Sequence, residues 1–415
     1  MARIVETVRK AQASVPPVQR RADVIAGVFV PSILVVAAGT FLGWLVSGHA
    51  WWAALVPAVA VLVVSCPCAL GLATPVAIVV GVGLAAQRGI VFRDAAALEA
   101  LGTVDTVIFD KTGTLTLGRP EVTAILSVGR TTSEEVLRVS AAAERGSSHP
   151  LAAAIVRAAE ERKIAVPTAQ ESRAERGLGV RARVDGVQAL VGTRRFLEAN
   201  GISSEAFAAL EEPRRIDATL VFTASAGRFL GMMELTDPIR RQTRDALEHL
   251  RALRVEFRLV SGDVSGAVEA VAARLGITQW NAQVSPEGKA EIVQALRAAH
   301  RRVAFVGDGI NDAPALASAD VGLAMGGGTD IALETACAAI VSNDPSAVAS
   351  AIALSRAVMR TIAQNLFWAF AYNVALIPLA ALDIVHPVMA AGAMGMSSLF
   401  VVGNSLLLLR FSGRS

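Results

Sequence analysis

Several residue types are scarce in this chain, and each scarcity limits what it can be. Cysteine occurs 3 times in 415 residues, as Cys66, Cys68 and Cys337, too few for a disulfide framework. Cys337 stands alone and reads as a small buried hydrophobe. Lysine occurs only as Lys10, Lys111, Lys163 and Lys289, with arginine supplying the rest of the positive charge. The single tyrosine is Tyr372. A strong excess of either charge is missing too: the net charge is +3, which gives no footprint for nucleic acid. No internal repeat or low-complexity tract is visible. The first residues, MARIVETVRKAQASVPPVQRR, are polar and charged, so no cleavable signal peptide is expected.

Charge is absent from four long stretches: Val24–Val46, Trp51–Gln87, Thr361–Leu382 and Pro387–Leu409. A bilayer core takes about 20 consecutive apolar residues per helix, so each stretch can cross one. With 53% hydrophobic residues and mean hydropathy +0.51, the chain is too apolar for an ordinary soluble protein. Arginines flank the four runs on one side only: Arg20 and Arg21, Arg88 and Arg93, Arg356 and Arg360, and Arg410. The connections Ser47–Ala50 and Asp383–His386 carry no Lys or Arg. By the positive-inside rule, both termini and the large central segment lie in the cytosol.

The central segment, residues 89–355, alternates apolar runs with helical patterns, as in a doubly wound parallel sheet. TVIFD ends at Asp110, FRLVSGD carries Ser261-Gly262-Asp263, and VAFVGDG carries Asp308. In such sheets ligands bind at the carboxyl ends of strands. Residues 121–230 interrupt this pattern and read as an inserted α+β domain, with helices in Ser133–Lys163 and strands in GVRARVD and ATLVFTA. The expected organisation is residues 1–22 as a linker and 23–88 as two membrane helices. Residues 89–120 and 231–355 form the sheet domain, 121–230 its insertion, and 356–411 two further membrane helices.

Asp110-Lys111-Thr112-Gly113-Thr114 carries the most specific chemistry. An Asp at a strand end before a glycine-containing loop can attack a phosphoryl group and become an aspartyl phosphate. Thr112 stands where phosphatases of this kind place a second acid, so the acyl phosphate should persist. Two of the four lysines, Lys111 and Lys289, fall at candidate phosphate positions, where a compact cation suits better than an arginine fork. Asp308 and Asp312, in GDGINDAPAL, offer hard oxygens for Mg²⁺. Ser261, Gly262 and Asp263 can hold phosphate oxygens through hydroxyl and backbone N–H. In the insertion, Glu144, Ser147, His149 and the Gly177-Leu178-Gly179 turn form a weaker nucleotide signal.

Within the membrane, Pro67 cannot donate to the Val63 carbonyl, nor Pro75 to that of Gly71, so the second span is expected to unwind there. Two thiols at such a break, Cys66 and Cys68, select a soft cation such as Cu(I). Met394, Ser397 and Ser398 share one face of the fourth span, and Asn365, Tyr372 and Asn373 one face of the third.

Together these motifs, DKTGTLT, the His-Pro pair, GLG, TDPIR, SGD, GDGINDAPAL and the Cys-Pro-Cys span, closely resemble the heavy-metal P-type ATPases of the copper(I)-exporting branch. The resemblance implies a haloacid dehalogenase-like phosphorylation domain, with Asp110 phosphorylated by ATP. It implies Mg²⁺ at Asp308 and Asp312, Lys289 on the phosphate and Thr112 orienting it. Asp237 and Arg240 match the family's structural DxxR element. Glu144, His149, Gly177, Gly179 and Gly192 match its nucleotide positions, although Thr193 replaces the family's Asn after Gly192. Cys66, Cys68, Tyr372, Asn373, Met394 and Ser398 match the copper branch. Zinc, cadmium and lead pumps would place a Lys and an Asp in the third and fourth spans, and those runs have neither.

The resemblance further implies a multi-pass protein of a bacterial plasma membrane exporting Cu(I), or Ag(I). Its copper would be received from a chaperone, and no nucleic acid is involved. No Thr-Gly-Glu sequence occurs in the 415 residues. The expectation is therefore a carboxy-terminal part lacking the actuator domain, working as an incomplete pump or with a separate amino-terminal half. The alternatives are a Zn(II)/Cd(II)-type ATPase, a membrane-anchored phosphatase, and a metal-binding remnant without transport.

Overall fold

The structure, a computed structural model, describes residues 2–66, 68–147, 149–175, 177–208, 218–308, 310–326 and 335–411. Among the described residues the strands are β1 (Ile90–Phe92), β2 (Thr106–Asp110), β3 (Glu121–Ser127), β4 (Gln170–Glu175), β5 (Gly179–Val184), β6 (Val187–Gly192), β7 (Thr219–Ser225), β8 (Arg228–Thr236), β9 (Glu256–Val260), β10 (Trp280–Asn281), β11 (Val303–Gly307), β12 (Val321–Met325) and β13 (Ala338–Ile340). The chain packs as two units, one of residues 1–107, 245–256 and 290–415, the other of residues 108–244 and 257–289.

Among the described residues, the first unit holds four helices long and apolar enough to cross a membrane. The first, Pro17–Val46, has Pro at its opening positions, where no intrahelical donor is lost. The second run is a helix over Trp51–Val64, then a break, then a helix over Cys68–Gln87. At the break the Ser65 hydroxyl turns back to the Val61 carbonyl at 2.5 Å and Cys66 N donates to Val63 O. Pro67 lies outside the described residues, as does the side chain of Cys68. The expectation for Pro75 is corrected: the helix continues through it. A proline removes one helical bond, and intramembrane helices tolerate that loss where neighbours cover the gap. The remaining spans are Ser346–Ala381 and Pro387–Leu407.

The membrane helices feed directly into a sheet. Gly89, at φ +73°, turns the chain from the second span into β1, which pairs antiparallel with β13. Strands β13, β12 and β11 follow in parallel. Next come the opening residues of β2, whose Asp105 and Thr106 N–H groups donate to the Arg302 carbonyl, and then β9, where Glu256 N donates to Asp105 O. Every residue of β11 and β12 is buried, as expected for strands covered on both faces. Cys337 is half-buried rather than enclosed. Its backbone carries the structural role, donating to Gly322 O and accepting from Arg93 N.

The second unit contains the ends of β2 and β9, with β9 parallel to β10, and a six-stranded antiparallel sheet in the order β3-β8-β7-β6-β5-β4. Two helices, Ser133–Glu144 and Pro150–Glu161, cover one face through Val136, Val139, Ile155 and Ala159. Phe196, Leu197, Ile202 and Phe207 cover the other. This is the α+β insertion.

Candidate functional site

Asp110 closes β2 and is 5% exposed. Its Oδ1 lies 2.6 Å from Lys289 Nζ, on the helix Pro286–Ala298, and the lysine is almost as deeply buried. A carboxylate and an ammonium so withdrawn from water need one another, because an unpaired buried charge is strongly unfavourable. The chain then makes one wide turn, Lys111–Leu115, closed by Thr116 N on Lys111 O. Gly113 sits at φ +73° in that turn, a conformation that only glycine adopts without strain. Lys111 pairs with Asp263, whose own N–H donates to the buried Ser261 hydroxyl at 3.2 Å. Gly262 lies between them, and there a Cβ would lie 3.4 Å from the Val284 carbonyl. Thr112 is exposed at the mouth of the turn.

A brace holds this turn from behind. Asp237 accepts from the Thr116 hydroxyl at 2.5 Å and from the N–H groups of Gly118 and Arg119, both at 3.1 Å. Arg240 donates to the carbonyls of Gly113 and Thr114 at 2.7 and 3.0 Å. Thr243 adds a hydroxyl on Leu115 O. These bonds consume the backbone polarity of the loop and fix where Asp110 points. In the first unit, β11 ends at Gly307, where a Cβ would stand 2.4 Å from Asp312 Oδ2. The glycine is thus what lets the buried Asp312 carboxylate fold back toward the strand end, next to half-buried Asp308.

A pocket of about 280 Å³ in the second unit gathers Glu144, Ser147, His149, Gly177, Gly179 and Gly192. His149 is the N-cap of Pro150–Glu161, its Nδ1 accepting from Leu151 N at 3.2 Å. With Nδ1 accepting, Nε2 is the nitrogen left to donate. Gly179 and Gly192 face each other across β5 and β6, and a Cβ on either would strike the opposite backbone within 2.5 Å. Burial raises the Glu144 carboxyl above its ordinary range, with the Ser147 hydroxyl opposing the shift. Sequence reading missed Glu175 and Thr219, which also line the pocket. They come from separate strands, β4 and β7, so no local pattern announces them. The Thr193 hydroxyl is engaged in capping the next helix at Phe196 N.

In the membrane, the residues grouped on the third span divide. Asn365 is fully bonded, donating to Ser405 Oγ at 2.9 Å and Ala73 O at 3.3 Å and accepting from Asn404 at 2.8 Å. It joins helices. Asn373, 1% exposed, has neither amide atom hydrogen-bonded, and the buried Tyr372 hydroxyl faces Ser397 and Asn373 without a bond of ordinary geometry. These two lie just past Ala369, which packs against Ala69 and Ala73 of the broken span. Ser398 donates to Met394 O at 3.2 Å. Cys66 is half-buried at the break.

A phosphate-type Asp loop at a strand end, with an inserted pocket domain, defines a haloacid dehalogenase-like hydrolase, and that family's model matches residues 104–320. The chain is 45% identical over 414 residues to the "Probable copper-exporting P-type ATPase V" of Mycobacterium tuberculosis, covering 99% of this chain and 54% of that protein. It is 42% identical to a "Silver exporting P-type ATPase" of Salmonella typhimurium, covering 98% of this chain and 51% of that one. The crystal structure of a zinc-transporting PIB-type ATPase in its E2.Pi state superposes with a TM-score of 0.83 at 37% identity, over 98% of this chain and 67% of that one. The chain therefore belongs to the heavy-metal P-type ATPases and is a multi-pass membrane protein. It spans about half the length of the curated relatives it matches.

Proposed function

We propose that this chain forms the membrane-embedded and catalytic part of an ATP-driven exporter of Cu(I), or of Ag(I) with the same soft chemistry. The observation that carries the reading is the buried Asp110–Lys289 pair at 2.6 Å, on a loop braced by Asp237 and Arg240. An Asp110 oxygen attacks the γ-phosphorus of ATP, the bond from that phosphorus to the β-bridging oxygen breaks, and ADP departs with the electron pair. Lys289 balances the charge on the acyl phosphate, and Lys111, held by Asp263, lies at the loop's start. Thr112 stands where phosphatases of this kind place a second acid, so that position offers no base to activate water and the intermediate lasts. The pocket at Glu144 and His149 holds the nucleotide, with its paired glycines letting the ligand approach backbone.

Asp308 and Asp312 offer hard carboxylate oxygens of the kind a divalent ion such as Mg²⁺ takes. The cradle at Gly307, which a Cβ would fill, fits that assignment. Mg²⁺ bound there would neutralise phosphate charge. Cu(I) is assigned to Cys66 and Cys68, with Met394, Ser398, Tyr372 and Asn373 as its further candidate ligands; the buried Asn373 amide without a hydrogen bond supports a polar or ionic occupant. The likeness to a zinc-transporting structure makes Zn(II) a second reading. The lack of any charged residue in Thr361–Leu382 and Pro387–Leu409 favours the monovalent soft ion. Dephosphorylation needs a water-positioning group, which we place outside these 415 residues, in a longer polypeptide or a separate amino-terminal half. A chaperone delivering the copper belongs to the same proposal.

The test is acid-stable, hydroxylamine-sensitive labelling of the chain from γ-labelled ATP, with Cu(I), Zn(II) or a Cu(I) chelator, alone and with an amino-terminal half. Label that requires Cu(I) and vanishes in Asp110→Asn is expected. Label that persists in Asp110→Asn would sink the assignment of the nucleophile, and dependence on Zn(II) alone would move the cargo to the second reading.

A further inference from the structure

The first and third spans meet at one end and part at the other. Toward the end opposite the arginines, Ile33 and Ala37 pack with Ala380, and Trp44 Nε1 donates to Ala381 O at 3.0 Å. Toward the arginine-flanked end they diverge around a cavity of about 700 Å³. Its walls are apolar: Val18, Ala22 and Ile25 on one side, Leu366, Phe367 and Ala371 on the other. An edge-to-face contact between Phe29 and Phe370, with centroids 5.9 Å apart, stands at its deep end. The volume lies within the range of ordinary ligand cavities, and the walls offer nothing for a polar ligand to bind.

The mouth is different. Arg21 lines the cavity at the level where the chain enters the membrane, is exposed, and makes no ion pair among the described residues. Two acids lie near. Glu99 Oε2 accepts from Val18 N at 2.8 Å and so caps the start of the span. Asp23 is two residues on, a spacing at which helical side chains do not face one another. A guanidinium over an apolar slot on the cytosolic side of two spans complements an amphiphile with an anionic head and a hydrocarbon tail. Basic sites between membrane helices on that side take anionic lipid heads. An apolar helix from another segment would fill the slot but leave Arg21 uncompensated.

We propose that this groove binds an anionic phospholipid from the inner leaflet, with its phosphate on Arg21 and one acyl chain between Ile25 and Phe367, down to Phe370. Such a lipid wedges the first span from the third at one end only. The proposal goes beyond the transport reading and stands or falls separately from it, since it concerns the membrane helices alone.

The test equilibrates the purified chain with mixed micelles of phosphatidylglycerol and phosphatidylcholine and counts retained lipids by native mass spectrometry. Wild type should retain the anionic lipid about fivefold over the zwitterionic one, the factor one basic residue near such a head supplies. Arg21→Gln, a change at an exposed site, should bring the ratio to unity, and Arg21→Lys should preserve it. Ala371→Trp, which fills the slot and leaves Arg21 in place, should lose both lipids. A preference surviving Arg21→Gln overturns the proposal, as does displacement by inorganic phosphate. A wild-type chain retaining no lipid also overturns it and assigns the groove to an apolar helix.

Discussion

Lys289 shows how few residues bear on the proposed phosphorylation site. It is one of four lysines in the chain, and its ammonium is the buried counter-charge of Asp110. Lys289→Met removes one partner from a dry ion pair, so stability should fall by about 3 kcal/mol, read as a lower midpoint in thermal unfolding. The double variant with Asp110→Asn should recover part of that loss, since neither charge then stays buried alone; additive losses would mean that the two groups are not coupled. Glu144 carries a pH dependence of known sign. Burial raises its folded-state pKa above the unfolded value, so folding favours the protonated form. Its contribution is fully present below the ordinary carboxyl range and is lost as pH rises through the raised value. Glu144→Gln should therefore melt higher than wild type at neutral pH, with the difference shrinking on acidification. A difference independent of pH would refute the burial argument.

Among the elements, the stalk of the third span has an identifiable fastening. Arg356 donates to the carbonyls of Leu253 and Val104, at 2.7 and 2.8 Å, joining the helix Ser346–Ala381 to the segments that lead into β9 and β2. Two bonds from one charged group to half-buried carbonyls are worth about 2–3 kcal/mol together. Arg356→Met should lower the unfolding midpoint accordingly, and Arg356→Lys should restore half at most, since one ammonium cannot span both acceptors in the fork geometry. Elements were legible where their pattern was long or distinctive. Thus β2, β9 and β11 announce themselves by apolar runs ending in Asp, Ser-Gly-Asp and Gly-Asp. By contrast β4 is exposed at every position and shows no alternation, and β1 is three residues continuing from a membrane helix. Both exist because a neighbouring strand supplies hydrogen bonds, which no local pattern encodes.

At the scale of the molecule, the Cys-Pro-Cys span leads through Gly89 into β1, and the sheet carries on to β11 and Asp308 within one unit. A change at the break is thus mechanically continuous with the strand end at Asp308, a proposed Mg²⁺ ligand. Cys66→Ala should abolish Cu(I)-dependent labelling of Asp110 while leaving nucleotide affinity of the chain unchanged; loss of both would indicate a folding defect instead. The sequence alone determined the membrane spans and their orientation, and it is enough to propose the nucleophile and the soft-metal ligands. Those follow from composition, charge placement and residue identity, which are local or additive properties. Only the tertiary structure decided that Lys289 meets Asp110 and Lys111 meets Asp263, that Asn365 joins helices while Asn373 is left unbonded, and that Arg21 stands over an apolar slot. Each of these depends on side chains far apart in the chain arriving within a few ångströms, and spacing along a sequence cannot specify that.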